Sequence, residues 1–135
     1  MASAGWALQR AIYDRLTTDA GLSALLGGPR IHDDVPRGTE PPYVTLGQST
    51  VRDWSTGGDD GHEHTLTLHV WSRTDGRRQV HEIMGAVRAA LHDAALAPTG
   101  HRLVNLCQEF AETRRDADGK TYHGLLRFRA VTEEA

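Results

Sequence analysis

The sequence predicts a single α+β domain in which a mostly antiparallel sheet of about four strands carries two main helices on one face. Three observations predict this class. The length of 135 residues suits one hydrophobic core. Apolar residues recur at helical spacing in some segments and alternate with polar residues in others. A hairpin signal joins the last two extended segments, and no repeat or linker divides residues 1–135.

Two amphipathic segments predict the main helices. Apolar residues at steps of three and four predict a first helix over about 5–17 and a second over about 76–93. Between them, Thr18 and Asp19 can cap a short helix that Gly27 and Gly28 stop. The second main helix carries small residues that allow it to lie close to a sheet: Gly85, Ala86, Ala89 and Ala90.

Alternating segments predict the strands. They cover Tyr43–Gly47, His64–Trp71, 102–110 and 122–132, and the turn Asp116–Lys120 joins the last two. On the second strand, three apolar residues are predicted to face the core: Leu66, Leu68 and Val70. The predicted inner face of the last strand consists of Tyr122, Gly124, Leu126, Phe128 and Ala130.

The segment Asp53–Gly61 is polar and rich in glycine, which predicts a long, flexible, exposed loop. Trp54 lies in this segment, either as a contact for another protein or as a lid on its own domain. Trp71, on the polar face of its strand, is a second aromatic that we expect to be exposed. Exposed aromatics beside arginines are typical of protein interfaces, and Arg127 and Arg129 on the last strand supply such arginines. Alternatively, these arginines form a solvated sheet face.

Composition excludes several classes of protein. Fifteen basic and eighteen acidic residues give a formal charge of -3 at pH 7, whereas proteins that coat nucleic acid normally carry a basic excess. Cys107 is the only cysteine, so a disulfide scaffold is excluded. No apolar run approaches the roughly 20 residues that cross a bilayer, and no secretion signal is visible. We therefore expect a cytoplasmic protein without a membrane partner.

Eight histidines raise the possibility of a metal site. His62 and His64 share one side of a strand, and Asp59 and Asp60 could add oxygen ligands. His69 has the opposite parity, so the three histidines do not share a face, and a structural zinc site needs four converging ligands. Scattered surface histidines are the better interpretation.

Other patterns for catalysis are weak. The acidic pair Asp33–Asp34 could hold Mg²⁺, but no third carboxylate follows at a recognisable spacing. No nucleophile motif surrounds Cys107, and the glycine-rich segment is acidic and lacks the lysine of a phosphate-binding loop. We therefore expect no enzyme activity, no catalytic residue, no cofactor and no metal.

Several segments, in the same order along the chain, resemble small tail-completion proteins of siphophage-like modules. The similarity covers nearly the whole sequence, and the version most similar is found in bacterial prophages and in gene transfer agents, phage-like particles that package host DNA. Each motif is weak by itself, but together they are fairly specific. The segments are Ala7–Leu16, Arg30–Pro36, Pro42–Gly47, Asp53–Thr56, Gly61–Ser72, His101–Val104 and Asp116–Gly124.

The resemblance implies a tail terminator, a small α+β protein that assembles as a ring, expected to be hexameric, on the end of the tail tube. Such a ring stops tube polymerisation and joins the tail to the head connector. The implied partners are copies of the chain, the major tail tube protein and the connector or stopper protein. Double-stranded DNA would pass through the lumen without specific binding, and a mildly acidic chain suits this because a basic lining would hold phosphates.

The same resemblance implies a place in the bacterial cytoplasm during assembly and then in the neck of the particle. It brings no cofactor or catalytic residue. Two alternatives remain: a connector subunit between portal and tail and, with less support, a metal-dependent hydrolase that uses the His62, His64, Asp59 and Asp60 group.

Two segments are expected to form interfaces. The segment Arg52–Gly61 should make an axial or lumen-facing contact because it is long, flexible and aromatic-tipped. Asp33 and Asp34 should lie at an intersubunit rim that faces arginines of a neighbour. The full set of expected interface residues is Asp33, Asp34, Arg52, Asp53, Trp54, Asp59, Asp60, Trp71, Arg127 and Arg129.

Overall fold

Three helices and five strands follow one another in the computed structural model, which describes residues 3–74 and 76–135. They are α1 (Ala4–Thr17), α2 (Ala20–Leu26), β1 (Ile31–His32), β2 (Tyr43–Asp53), β3 (Gly61–Ser72), α3 (Arg77–Leu91), β4 (His101–Arg115) and β5 (Tyr122–Glu134). Within the described residues, the strands form one sheet in the order β1-β2-β3-β5-β4. The predicted α+β class is confirmed, with a short fifth strand, β1, that pairs parallel to β2.

Local capping signals place the helices close to their predicted bounds. The hydroxyl of Ser3 accepts a hydrogen bond from the Trp6 N–H at 3.2 Å at the start of α1. Asp19 caps α2 by accepting from the Leu22 N–H at 2.8 Å, and Gly27 ends this helix with a φ of 77°. Across the described residues, none of the helices combines the length and apolar character needed to cross a bilayer.

Three strands are clearly longer than predicted. β4 runs to Arg115 rather than to residue 110, and the longer β2 and β3 correct the expectation of a long flexible loop. β2 continues beyond Gly47 to Asp53, and β3 begins at Gly61 rather than at His64. The mostly polar segment Ser49–Asp53 pairs with β3 beyond a bulge. The sequence pattern missed this pairing because exposed polar residues show no hydrophobic alternation, although their backbone groups form ladder hydrogen bonds as well as any others.

The connection between β2 and β3 is a short hairpin turn. The Trp54 N–H donates to the Gly61 carbonyl at 2.9 Å, and an isolated bridge joins Thr56 to Asp59 within the turn. Of the predicted loop, residues 54–60 therefore lie between the strands, where backbone hydrogen bonds restrain them.

The hydrophobic core lies between the three helices and one face of the sheet. The predicted inner face of β5 is confirmed, since four of its five residues are buried and Tyr122 is half-buried. In the described part of the chain, the opposite face of the sheet has no helix over it. The largest fully buried apolar side chains are Phe128, Leu8, Ile12, Leu16, Leu22, Leu26, Ile83, Leu91, Leu106, Leu126 and Val44.

α3 packs directly against β5 at Gly124. A Cβ atom at this position would lie 2.5 Å from the sulfur of Met84 and 3.1 Å from a methyl group of Val80. Both of those side chains are buried. The missing side chain of Gly124 therefore sets how closely the helix approaches the sheet.

We predict that Gly124→Val lowers the free energy of unfolding by about 1–3 kcal/mol, because the added methyl groups force α3 away from β5. Gly85→Ala, on α3 itself, is the control. No atom lies within 4 Å of a Cβ built there, so alanine should stabilise the chain by about 0.5–1 kcal/mol. Urea unfolding measures both, and wild-type stability of the valine variant would contradict this packing.

Candidate functional site

The uncovered face of the sheet, which points away from the three helices, is the broadest candidate interaction surface. Strand alternation and the β3–β5 register define it. It combines charged, aromatic and aliphatic side chains, a mixture that is typical of protein interfaces. Its central residues are Glu63, Thr65, Thr67, His69 and Trp71 on β3 and His123, Leu125, Arg127, Arg129 and Val131 on β5.

Two arginines share one carboxylate at the turn end of this face. Glu63 accepts from Nε of Arg129 at 2.7 Å and pairs with Nε of Arg52 at 2.9 Å. The Glu63 side chain is 15% exposed, whereas that of Arg52 is 71% exposed. Two positive charges around one negative charge leave an excess positive charge, which a further carboxylate could compensate.

The Trp54 side chain lies over the same two arginines. Its ring centre is 5.7 Å from the Arg52 guanidinium carbon and 5.3 Å from that of Arg129, distances at which a guanidinium is attracted to an indole face. Trp54 therefore packs on its own sheet, as one of the two alternatives predicted. It is still 42% exposed, and its contact with another protein stays a prediction.

Trp71 is half-buried, which corrects the expectation that it is exposed. Its ring stacks on His123 with centroids 4.1 Å apart, and its Nε1 donates to the Thr45 hydroxyl at 3.3 Å. Nδ1 of His69 and Nε2 of His123 are 2.6 Å apart, so one ring donates a proton to the other. Burial is the main cause that lowers the pKa of both histidines. Cross-strand stacking thus satisfies aromatic groups that the sequence pattern left without partners.

A second histidine group lies on the helix side of the sheet, so the expectation of scattered surface histidines is wrong. His64 is buried, and its Nε2 lies 2.9 Å from the Thr132 hydroxyl. The His62 ring lies 6.4 Å from that of His64 and 6.3 Å from that of His101. Burial first, and then the charges of the other two histidines, lower the pKa of His64 to about 4. As predicted, this group and His69 lie on opposite faces.

The residues of the hydrolase alternative do not converge. Asp59 and Asp60 are exposed on the turn, while His64 faces the Thr132 hydroxyl in the protein interior. Within residues 3–74 and 76–135, these aspartates and the two histidines His62 and His64 do not bring their ligand atoms within 4.8 Å of one another. The geometry therefore gives this alternative no support.

His92, Asp93 and Cys107 do bring their ligand atoms within 4.8 Å of one another. Nδ1 of His92 accepts the Gln108 N–H at 3.0 Å, so the ring proton of a neutral His92 lies on Nε2, which faces the Asp93 carboxylate at 3.3 Å. Such a ring has no free nitrogen for a metal. Burial and the Asp93 hydrogen bond raise the pKa of Cys107. The Asp93 N–H also donates to the Leu106 carbonyl at 2.8 Å. His92, Asp93 and Cys107 therefore join the end of α3 to β4.

Asp33 and Asp34 lie away from the Glu63 cluster, at a groove of about 360 Å³ between α1 and β1. Both are exposed, and the groove also contains Trp6, Arg10 and Tyr13. Their place at an intersubunit rim stays a prediction.

The structure thus separates the expected interface residues into three groups. The first lies on the uncovered face, the second beside α1 and the third at the hairpin end. In the third group, Asp53 accepts hydrogen bonds from the Ser55 hydroxyl at 2.6 Å and from its N–H at 3.2 Å, which lower its pKa. The groups are Arg52, Trp54, Trp71, Arg127 and Arg129; Asp33 and Asp34; and Asp53, Asp59 and Asp60.

Comparison with known proteins identifies the family. A family model described as tail completion protein gp17 matches residues 10–133. The chain belongs to the gp17 family of tail completion proteins. Tail completion protein gp17 of Bacillus phage SPP1 is 27% identical over 123 residues, which cover 91% of this chain and 90% of that protein.

Solved structures extend this gp17-family likeness to the fold. A chain in the virion of a native gene transfer agent particle is 34% identical, with a TM-score of 0.89 and coverage of 98% of this chain and 99% of that chain. A further solved chain, 13% identical with a TM-score of 0.56, shares the fold alone. The family resemblance inferred from the sequence segments is therefore confirmed.

Three residues of the uncovered face are absent from the interface residues predicted from the sequence, although parity along the last strand places His123 on that face. They are Glu63, which joins the two arginines, His123, on which Trp71 stacks, and Phe110, whose ring lies 4.9 Å from the Arg127 guanidinium carbon. Parity along each strand could have indicated their face, but only the register across strands shows which side chains meet. Two bulges in β4 further interrupt that parity.

We predict that stability falls as the pH decreases from about 7 to about 4.5. The pKa of His64 lies below its ordinary 6.5 in the folded state, so the unfolded chain binds the proton first and is stabilised relative to the folded chain as the pH falls below 6.5. His69 and His123 contribute with the same sign. In His64→Gln, the decrease in unfolding free energy between these two pH values should be smaller by about 1–3 kcal/mol.

Urea unfolding at both pH values measures this effect. His81→Gln is the matched control, because it removes one exposed histidine from α3 without touching the buried group. A pH dependence in His64→Gln as steep as that of the wild type would contradict the assignment.

Proposed function

We propose that this chain forms a closed ring at the end of a phage-like tail tube, where it stops tube polymerisation and joins the tail to the head connector. The observation that carries the proposal is the likeness, over 98% of the chain, to a subunit of a gene transfer agent virion. The partners are further copies of the chain, the major tail tube protein and the connector or stopper protein.

The distribution of exposed apolar side chains supports assembly with other subunits. A cyclic ring needs two different surfaces on each subunit that complement each other. Trp6 and Val51 lie at the β2 side of the sheet, and Val104 and Phe110 lie on β4 at the other side. Trp54 lies on the uncovered face near the turn. In the described residues these are the exposed large hydrophobic side chains, and they suit contacts at both sides of a subunit.

Charge supports a ring through which DNA passes. The formal charge of -3 at pH 7 means that the subunit has no basic excess, which suits a ring that lets the duplex pass without holding its phosphates. In this ring Asp33 and Asp34 lie at a rim that faces arginines of a neighbour. The hairpin turn with Asp53, Asp59 and Asp60 provides the axial contact.

Deleting the gene tests the proposed role directly. Electron microscopy of the resulting particles should show tails of irregular length and tails without heads, and supplying the gene in trans should restore joined tails of uniform length. Tails of normal length that lack heads would instead favour the connector alternative. Normal, joined particles would contradict both roles.

The hairpin turn between β2 and β3 can be shortened to test its axial contact. Replacing residues 55–60 with Asn-Gly should leave β2 and β3 paired, since the Trp54–Gly61 hydrogen bond can close a two-residue turn. We expect a folded chain whose unfolding free energy changes by no more than about 1 kcal/mol, but far fewer joined tails. Capped tails of normal length, joined to heads in wild-type yield, would contradict an axial role for the turn.

A further inference from the structure

We propose that the free edge of β2 in one copy pairs with the free edge of β4 in the next, so that the sheets continue from subunit to subunit. This inference rests on the proposed ring and names the surface that closes it. The partner is a second copy of this chain.

The outer edge of β2 has unpaired backbone groups. β1 is two residues long and covers only the start of β2, so Gln48–Asp53 has no partner strand on that side within the described chain. The Trp54 N–H points to β3, where it bonds to the Gly61 carbonyl. Because backbone groups alternate along a strand, those of Ser49 and Val51 point outward.

The outer edge of β4 is covered at its middle and free beyond it. The end of α3 bonds to the Leu106 carbonyl and to the Gln108 N–H, but Phe110–Arg115 has no partner strand on that side within the described chain. The Asp116 N–H bonds across the β4–β5 hairpin, so by the same alternation the backbone groups of Thr113 point outward.

The two free segments match in length and in chemistry. Gln48–Asp53 and Phe110–Arg115 each contain six residues and no lysine or proline. Both carry other charged residues and lie beside a β-bulge, and those on the uncovered face include charges of opposite sign. Unpaired backbone groups on such edges can bond to another strand, so each segment can accept a pairing partner.

Strand direction makes the two edges complementary. β2, β3, β5 and β4 are successive antiparallel neighbours, so β2 and β4 run in opposite directions. Copies related by rotation about a ring axis keep the direction of each strand relative to that axis. β4 of one copy therefore meets β2 of the next in antiparallel orientation. This is a contact between different surfaces, as closure of a ring requires.

Charge selects one register between the two edges. Arg52 and Glu112 both lie on the uncovered face, and the register that sets them opposite also sets Trp54 opposite Phe110. A shift of two residues one way sets Arg52 opposite Phe110. A shift the other way sets it opposite Arg114, where like charges repel.

Each charge of the favoured pair lacks a full partner within its own subunit. Arg52 shares the Glu63 carboxylate with Arg129. Glu112 is exposed and forms no ion pair among the described residues. In the paired edges, Glu112 of one copy supplies a second carboxylate to Arg52 of the next, and Glu63 stays bonded to Arg129.

Apolar side chains support the same register on the helix side of the sheet. Val51 is 43% exposed and lies opposite Thr113 of the neighbour. Thr113 borders a groove of about 320 Å³ that also contains Met84, Gly85 and Ala111. The valine side chain would enter this groove when the edges pair, which removes exposed apolar surface from water.

Cysteine cross-linking in assembled particles tests the register. In this register Thr50 lies opposite Arg114 in a non-hydrogen-bonded pair, in which the two Cα atoms are about 4.5 Å apart. This distance lies within the range for a disulfide. In a Cys107→Ser background, Thr50→Cys with Arg114→Cys should give a ladder of linked chains after mild oxidation. Ser49→Cys with Arg114→Cys is the matched control, because Ser49 faces the other side of the sheet, and we expect at least about tenfold less linkage.

Charge exchange provides a second test that does not depend on disulfides. Arg52→Glu alone and Glu112→Arg alone should each place like charges opposite each other and raise the concentration at which rings dissociate by about tenfold. The two changes in one chain should recover part of this loss but not all of it, because the glutamate at position 52 then lies opposite Glu63 of its own sheet. Native mass spectrometry measures the ring, and circular dichroism checks that each variant is folded.

The outcomes separate this inference from the proposed function. Rings at the tail end with equal linkage in both cysteine pairs, or with no recovery in the double charge variant, would overturn the edge pairing and leave the ring intact. Particles without any ring of this chain would overturn the proposed function itself.

Discussion

A sheet that is covered by helices on one face only leaves its other face and its strand edges open to water or to other chains. The rest of this structure follows from that constraint. The three helices bury the inner face, and α3 approaches β5 closely because Gly124 has no side chain. Residues 3–74 and 76–135 leave the other face and parts of both edges open. The core therefore makes the subunit stable, while the open surfaces give it the capacity to bind other subunits.

The charges on the open face are held in place to different degrees. The bond from Arg129 to Glu63 is partly shielded from water, and a charge-assisted hydrogen bond of this kind contributes about 1.5–3 kcal/mol. Arg52 is mostly exposed, and exposed pairs contribute about 1 kcal/mol or less. Arg129 thus orients the cluster. Arg52 can turn to a carboxylate on a neighbour at little cost to the stability of the subunit.

Elements with strong hydrophobic periodicity could be predicted from the sequence. The helices, β3 and the inner face of β5 follow from that periodicity because core burial selects it. The second half of β2 could not be predicted, since its polar residues are ordered by backbone pairing, and β1 is too short to show a pattern. Segment order along the chain was enough to indicate the family.

The candidate site was predictable only in part. Arginines and aromatics on one strand face could be read from parity, but contacts across strands depend on register and bulges. Trp71 therefore looked exposed although His123 covers it, and His64 looked like a surface residue although it bonds to Thr132 in the interior. The grouping of Arg52 and Arg129 around Glu63 required the β2–β3–β5 alignment.

Hydrogen exchange of the backbone amides, compared between the isolated chain and assembled particles, tests the central claim most directly. The outward amides of Ser49, Val51 and Thr113 should exchange rapidly in the isolated chain and at least about tenfold more slowly in particles, while those of α3 change little. Equal exchange at both edges in the two samples would contradict the claim that these open surfaces are the ones that assembly covers.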